Sequence, residues 1–347
     1  MSVLGKTLAK ISPKSITARE LVAARFNQFA PHQEYGDLFD IAVDIAGMMA
    51  DSQPRINKKL IACMIADHGV VAEGVSKFPA VVTRQMTWNA IRGGAGMNVL
   101  ASQSRTDVKL FDFGIDADMR EAEEGGKLMN KKVGNGTANI TVGPAMSRTM
   151  AQEAVENGIS VAEENSEYDI FGTAEIGIGN TTASAAIVAV LTGKSVAELC
   201  GRGSGLNNEQ LENKIRVVEK ALVVNRPEAG DGLDVLSKVG GFEIGGIAGL
   251  IIGAAALRKP VVVDGFISTA GAMIAAVLEP LTKDYMIFSH RSMEPGHAEM
   301  QKFLGCHKPL LDLNFRLGEG TGAAVAMNLV EGALAVFNQL SPLPEKS

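Results

Sequence analysis

Residues 170–182, IFGTAEIGIGNTT, combine a short apolar run, a glycine-rich turn and residues that favour the start of a helix. The seven-residue run is typical of a buried strand, and Gly177 and Gly179 allow the backbone to turn tightly. Asn180 and Thr181 then suit the first turn of a helix. This order of strand, turn and helix is the repeating unit of a parallel α/β sheet.

The same pattern recurs along the chain from about residue 60. Short apolar runs predict five further strands, at residues 60–66, 108–113, 260–263, 285–289 and 310–313. Several of them run into a polar or glycine-rich turn, as at Asp67-His68-Gly69 and Asp264-Gly265. Since open parallel sheets bind ligands outside the carboxyl ends of their strands, we expect these turns to meet at one crevice.

The two ends of the chain lack this alternation. Amphipathic or strongly apolar helices are predicted there at residues 16–29, 38–49 and 323–340. We therefore predict an α/β fold in which residues 56–322 form a large domain with a mostly parallel sheet and flanking helices. Residues 1–55 with 323–347 are predicted to form a small helical subdomain.

The composition excludes several classes of protein. With 46% hydrophobic and 21% charged residues in 347, the chain can bury a large core. A net charge of −6 and 5% aromatic residues disfavour a nucleic-acid-binding surface. Three cysteines without CxxC spacing indicate a reducing compartment, and no apolar run reaches the ~18 residues of a membrane span. We expect a cytoplasmic protein without membrane contact, in which residues 245–256 form a buried helix.

Two glycine-rich loops are candidates for anion binding. Residues 175–182 place an acid and two glycines before a helix start, without the spacing of a dinucleotide fingerprint or a P-loop. Residues 201–206, GRGSGL, precede a predicted helix that carries Lys214. The alternatives are a plain strand–helix turn and a flexible connector. Two such loops in one domain favour anion binding.

Glu319 is a carboxylate between two glycines, just before the last apolar helix. Burial would raise its pKa, as suits a general base, whereas a helix start favours the ionised form. On spacing alone, the alternative that Glu319 only complements the helix dipole stays open. The histidines lack metal-site spacing and no GxSxG motif occurs, so we predict neither a metal site nor a serine hydrolase. Residues 121–139, with glycine and charge clusters, predict a long loop.

Six segments together resemble one enzyme family. They are residues 67–74 (DHGVVAEG), 175–182, 232–243 (GLDVLSKVGGFE), 264–268 (DGFIS), 289–296 (SHRSMEPG) and 316–322 (RLGEGTG). In this order they are similar to nicotinate-nucleotide:dimethylbenzimidazole phosphoribosyltransferases, over about residues 15–340. The resemblance implies a Rossmann-like domain, a small helical domain from both chain ends and a dimer. It also implies transfer of ribose 5-phosphate from nicotinate mononucleotide to the lower-ligand base of cobamides, without a cofactor.

The resemblance further implies roles for individual residues. Glu319 matches the general base that takes a proton from the incoming aromatic base, hereafter the acceptor. The residues it places around the ribotide and its phosphate are Glu175, Gly177, Gly203, Ser204, Lys214, Gly265, Ser292 and Gly318. Those it places around the acceptor are Phe78, Met86, Ile176 and Leu317. The cationic pyridinium of nicotinate mononucleotide is already a good leaving group, so the implied inversion at the anomeric carbon needs neither a metal nor ATP.

Three positions depart from the best-known members of the family. Phe78 stands in place of a serine, Met86 of a glutamine and Ile176 of a leucine. The first two changes make the acceptor pocket more apolar, which favours phenol or p-cresol beside benzimidazoles; a pocket that still prefers benzimidazole is the alternative. Members that use phenolics work as heteromers, so a homodimer and a heterodimer with a similar chain both stay open.

Two other functions fit the sequence less well than this enzyme. A non-catalytic partner subunit would have no need of Glu319 and the intact glycine loops. A dinucleotide oxidoreductase is disfavoured because no GxGxxG follows the first predicted strand.

Overall fold

A six-stranded parallel sheet lies at the centre of the computed structural model, which describes residues 2–28 and 32–341. The strands are β1 (Lys59–Ala66), β2 (Asp107–Gly114), β3 (Met129–Asn130), β4 (Ile170–Ile176), β5 (Val261–Val263) and β6 (Met286–Phe288). Their order is β3-β2-β1-β4-β5-β6, and every neighbouring pair is parallel. This is the strand order of a Rossmann sheet, so the predicted α/β class is confirmed. The order reverses between β1 and β4, where such sheets bind ligands.

Helices surround the sheet throughout the described residues. They are α1 (Val3–Leu8), α2 (Ile16–Phe26), α3 (His32–Tyr35), α4 (Asp37–Met49), α5 (Val81–Ile91), α6 (Gly96–Gln103), α7 (Arg120–Glu124), α8 (Arg148–Glu164), α9 (Asn180–Thr192), α10 (Val196–Leu199), α11 (Asn208–Asn225), α12 (Gly232–Val239), α13 (Phe242–Ala256), α14 (Phe266–Leu278), α15 (His297–Phe303) and α16 (Thr321–Gln339). Two 3₁₀ turns occupy Gly69–Glu73 and Pro280–Tyr285.

Strand β1 shows how the sheet is buried on both faces. Leu60, Ala62 and Met64 join one apolar cluster, whereas Ile61 and Cys63 join another on the opposite face. The alternation follows from the two-residue period of a strand, and it explains why the sequence of β1 is apolar at nearly every position. The predicted buried helix at 245–256 is also confirmed, as the buried part of α13.

Two predictions about secondary structure, one of a strand and one of a loop, were wrong. Residues 310–313 form no strand, because only Leu311 pairs with the extension of β6, through an isolated bridge to His290. The chain then turns away at Asn314, whose φ is +55°. Residues 121–139 are not all loop, since they contain α7 and the edge strand β3. The two residues of β3 are too few to produce a periodic pattern in the sequence.

The two ends of the chain pack against each other. The ring of Phe26 in α2 stacks on Phe337 in α16, with centroids 5.9 Å apart, and meets Phe39 in α4 edge-on at 4.9 Å. The far end of α16 thus belongs with the N-terminal helices, while its first turns contact β4 and β5. The domain boundaries given above stay a prediction. Of the helical predictions, residue 29 and residues 342–347 lie outside the described residues.

Helix α16 is the one helix within the described ranges that is long and apolar enough to cross a membrane by length and composition alone. More than half of its apolar window, 56%, is buried inside the protein. This burial is what a core helix of a globular protein shows.

Candidate active site

A cavity of about 500 Å³, hereafter the first cavity, opens beyond the carboxyl ends of β4 and β5. This volume is typical of a small-molecule site. Twelve of the residues predicted for the site line it, and they come from six separate segments of the chain. They are Phe78, Met86, Glu175, Ile176, Gly177, Gly203, Ser204, Gly265, Ser292, Leu317, Gly318 and Glu319. Lys214 does not line the cavity but lies directly behind its wall.

A second cavity of about 850 Å³ adjoins the first beyond β1 and β2. The turn at Asp67 and His68 opens into this second space, whereas Gly177 and Gly265 line the first. The prediction of a single crevice therefore needs correction. The segment containing Ser76 and Phe78 lies between the two spaces and contributes to the wall of both.

Glu319 lies in a turn of unusual backbone geometry. Gly318, Glu319 and Gly320 have φ values of +76°, +55° and +73°, so three consecutive residues are left-handed. Glycine adopts this conformation without steric cost, but a glutamate does not. A strained residue of this kind is held in place by its surroundings and is commonly found at functional sites.

Two carboxylates from neighbouring strands hold the turn. The N–H of Glu319 donates to Oε1 of Glu175 at 3.2 Å, and the N–H of Gly320 donates to Oδ2 of Asp264 at 3.0 Å. The other oxygen of Asp264 accepts from the N–H of Ala323 at 3.0 Å, in the first turn of α16. The ends of β4 and β5 thereby fix where the Glu319 side chain leaves the backbone.

The acids in this turn have shifted pKa values. Burial, followed by the charge of Asp264, raises the pKa of Glu319. Burial raises the pKa of Glu175 well above its usual value, with Asp264 and Glu319 adding to the effect. Both acids line the cavity, but Glu175 is only 5% exposed whereas Glu319 is half-buried, so burial disfavours the ionised form less at Glu319. This difference favours Glu319 as a proton acceptor.

The glycine turn after β4 leads into α9 without a side-chain cap. Gly179 has a φ of +98°, and no side chain caps the start of the helix. Helix α9 begins at Asn180, as predicted, and the side chain of Asn180 donates from Nδ2 to Oε2 of Glu175 at 2.5 Å. Thr83, a buried residue of α5, accepts from the N–H of Ile178 at 3.1 Å. The uncapped start of a 13-residue helix thus faces the cavity, as an anion site requires.

Lys214 supplies a buried positive charge behind this turn. Its Nζ donates to Oγ1 of Thr181 at 2.8 Å and to the carbonyl of Gly201 at 3.3 Å. In the part of the chain that the structure describes, it forms no ion pair. Burial lowers its pKa, as expected when a cation is removed from water. Thr181 lines the cavity, so the ammonium lies one residue away from any anion bound there.

Neighbouring polar side chains hold their own loops. Ser204 accepts from the N–H of Lys77 at 3.0 Å, which joins the 201–206 loop to the wall between the cavities. Arg202 donates to the carbonyl of Leu206 at 2.8 Å, and Arg291 pairs with Asp312 at 3.4 Å. Both arginines therefore have partners within the chain.

Four apolar side chains also line the first cavity. Ile176 is buried and Met86 partly so, whereas Phe78 and Leu317 are 45% and 60% exposed. The half-exposed pair lies at the rim, where an incoming molecule would meet it. All four predicted acceptor-pocket residues line the first cavity, and their role in binding the acceptor stays a prediction.

No set of three or more acidic, histidine or cysteine side chains among the described residues could hold a metal ion. His68, His290 and His297 have structural partners instead. His68 pairs with Glu243 at 2.6 Å, and burial lowers the pKa of His297 to about 3, so its ring is neutral.

Sequence reasoning missed two residues that shape the site. Glu294 lines the first cavity and accepts from the N–H of Gly203 at 3.1 Å. Thr83 was not singled out either. The only sequence signal for Glu294 was its place beside a proline and a glycine within residues 289–296. Nothing in the helical pattern of α5 marks Thr83.

Comparison with known proteins identifies the family of this chain. The phosphoribosyltransferase family pattern matches residues 11–345. Two similar curated proteins, both nicotinate-nucleotide–dimethylbenzimidazole phosphoribosyltransferases, come from Desulfotalea psychrophila (58% identical) and Syntrophotalea carbinolica (47%); each alignment covers 99% of this chain and 98% of the relative. The crystal structure of CobT from Thermus thermophilus superposes with a TM-score of 0.88 at 37% identity, covering 92% of this chain and 96% of that one. The chain belongs to the nicotinate-nucleotide–dimethylbenzimidazole phosphoribosyltransferase family.

Proposed function

We propose that this protein transfers the ribose 5-phosphate of nicotinate mononucleotide to an aromatic acceptor, with Glu319 as general base. The observation that carries the assignment is the left-handed turn that holds Glu319 at a cavity whose other wall is formed by an uncapped helix start. One wall suits a phosphate, and the other suits a flat apolar ring. The two curated relatives described above are named for this reaction.

In the reaction, a ring nitrogen of the acceptor attacks the anomeric carbon from the face opposite nicotinate. The carbon–nitrogen bond to nicotinate breaks, and its electron pair leaves with the neutralised pyridine ring. The proton on the acceptor's second nitrogen passes to the carboxylate of Glu319. A single general base contributes ~10²–10⁴-fold, and holding the two reactants in register contributes further.

The phosphate is assigned to the turn after β4 and the loop at 201–206. The N-terminal end of α9 carries partial positive charge, and Lys214 adds a full charge close behind Thr181. Gly177 and Gly203 present backbone without a side chain to the cavity. Together these groups offset the net negative charge of the chain at this one place.

Incubation of the purified chain alone with nicotinate mononucleotide and dimethylbenzimidazole tests the function. We expect free nicotinate and an α-ribotide. Glu319→Gln should lower turnover at least ~10²-fold with the fold intact, whereas Glu163→Gln, an exposed acid on α8, should not change it. Wild-type turnover by Glu319→Gln would refute the general-base assignment. Activity of the single chain would also exclude a non-catalytic partner subunit.

We infer that the acceptor pocket takes phenols as well as benzimidazoles. Phe78 and Met86 present carbon and sulfur atoms where a polar side chain could orient a ring nitrogen. A phenol needs only to lose its O–H proton, and Glu319 can accept it. Competition among dimethylbenzimidazole, phenol and p-cresol tests this point, and exclusive use of dimethylbenzimidazole would contradict it. Phe78→Ser with Met86→Gln should shift the preference towards dimethylbenzimidazole.

A dimer and a cytoplasmic location also belong to this proposal. Met293, Leu313 and Leu317 are 49–60% exposed near the rim of the first cavity, and clustered apolar side chains are typical of interfaces. All three cysteines are free thiols, as expected in a reducing compartment. Light scattering of the purified chain tests the first point.

A further inference from the structure

Residues 289–296 connect the two sides of the first cavity. The N–H of Met293 donates to the carbonyl of Phe315 at 2.9 Å, in the segment that leads to the general base. The N–H of Gly296 donates to the carbonyl of Leu199 at 3.1 Å, just ahead of the glycine loop at 201–206. One short segment is therefore attached to the acceptor side and to the phosphate side.

Glu294 is the residue of this segment that reaches the glycine loop. Its side chain is buried, with 7% exposure, and Oε1 accepts from the N–H of Gly203 at 3.1 Å. Oε2 has no hydrogen-bond partner and lies against Gly201, where any Cβ would overlap it. Oε2 is therefore enclosed by the loop, while Glu294 also contributes to the lining of the first cavity.

The same loop covers Lys214. The carbonyl of Gly201 accepts from Nζ, and a Cβ at Gly203 would lie 3.2 Å from that nitrogen. Burial lowers the pKa of Lys214, while the charge of Glu294 acts in the opposite direction. Glu294 thus supports the loop geometrically and helps to keep the ammonium charged.

We propose that Glu294 is the positioning residue of the phosphate subsite, acting through Gly203 and Lys214. This inference rests on the proposed function, because it assumes that the phosphate of the donor nucleotide binds beside Lys214. Oε1 of Glu294 holds Gly203, and with it the loop whose Gly201 carbonyl and neighbour Thr181 accept from the lysine. A carboxylate in direct contact with a phosphate would repel it, and the enclosure of Oε2 keeps that oxygen from such a contact.

Steady-state kinetics of Glu294→Ala, Glu294→Gln and a control test the proposal. Glu294→Ala should raise the KM for nicotinate mononucleotide by about tenfold to hundredfold, the range for a lost hydrogen bond to a charged group. The KM for dimethylbenzimidazole should stay within about twofold. Glu294→Gln should recover much of the loss, since its amide oxygen can accept from Gly203. Glu299→Ala, which removes an ion pair with Lys194 on the same side of the protein, should change neither KM.

Equal changes in both KM values, no change in either, or a glutamine variant no better than alanine would overturn the proposal. Hydrogen exchange of the Gly203 amide gives a readout that needs no substrate. It should be protected in the wild type and exchange faster in Glu294→Ala. If the wild-type chain makes no α-ribotide, the proposed function fails, while the exchange measurement still decides whether Glu294 holds the loop.

Discussion

Replacing Gly320 by alanine should disrupt the turn that holds Glu319. Gly320 has a φ of +73°, and a Cβ there would lie 2.6 Å from Cβ of Ala174 and 3.3 Å from the carbonyl of Thr173. The left-handed backbone costs an alanine roughly 1–2 kcal/mol, and overpacking against a buried strand adds about 1–3 kcal/mol. We therefore expect a loss of about 2–5 kcal/mol in the free energy of unfolding.

The effect on activity should exceed the effect on folding. Ordinary carbon contacts lie near 3.5–4 Å, so relief of the clash moves the turn by about 1 Å, and a shift of that size can cost about 10²-fold in rate. Gly332→Ala is the matched control, because it lies further along α16 with nothing within 4 Å of the added Cβ. Urea unfolding and turnover of both variants are the measurements. If Gly320→Ala behaves like Gly332→Ala, the turn does not position Glu319.

Three further outcomes follow from the site and the core. The kcat/KM should rise with pH through the pKa of Glu319, at a midpoint above that of an ordinary glutamate because burial raises this pKa, and Glu319→Gln should lack this rise. Lys214→Met should weaken binding of nicotinate mononucleotide at least about tenfold in calorimetry. It should keep or raise thermal stability, because it removes a buried charge that has no ion pair. Unchanged binding would show that the phosphate does not bind beside Lys214. Phe26→Ala should cost about 3–5 kcal/mol of stability in urea without altering either KM, and a selective KM change would contradict a purely structural role.

The sequence predicted those parts of the site that depend on neighbouring residues. The turn after β4 and the glycines around Glu319 are local patterns, so their place at strand and helix ends could be read directly. The contact of Glu294 with Gly203 joins residues 91 apart, and that of Thr83 with Ile178 joins residues 95 apart. No pattern within one segment contains such information.

The division into two cavities was unpredictable for the same reason. It depends on how the segment around Ser76 and Phe78 folds back across the ends of the strands. The family resemblance implied residue roles, but the hydrogen bonds that hold Glu319 are visible only in the structure. In particular, Asp264 was expected only at a turn, whereas it binds the start of α16.

Helix α16 gives the enzyme a built-in link between its integrity and its activity. It starts two residues after Glu319, and near its other end Phe337 packs on the N-terminal helices. A helix unfolds cooperatively, so detachment of the chain terminus would release the proton acceptor as well. A partly unfolded molecule of this kind would have no turnover at all, rather than a reduced rate. Loss of turnover on heating should therefore coincide with loss of helical structure at the chain ends.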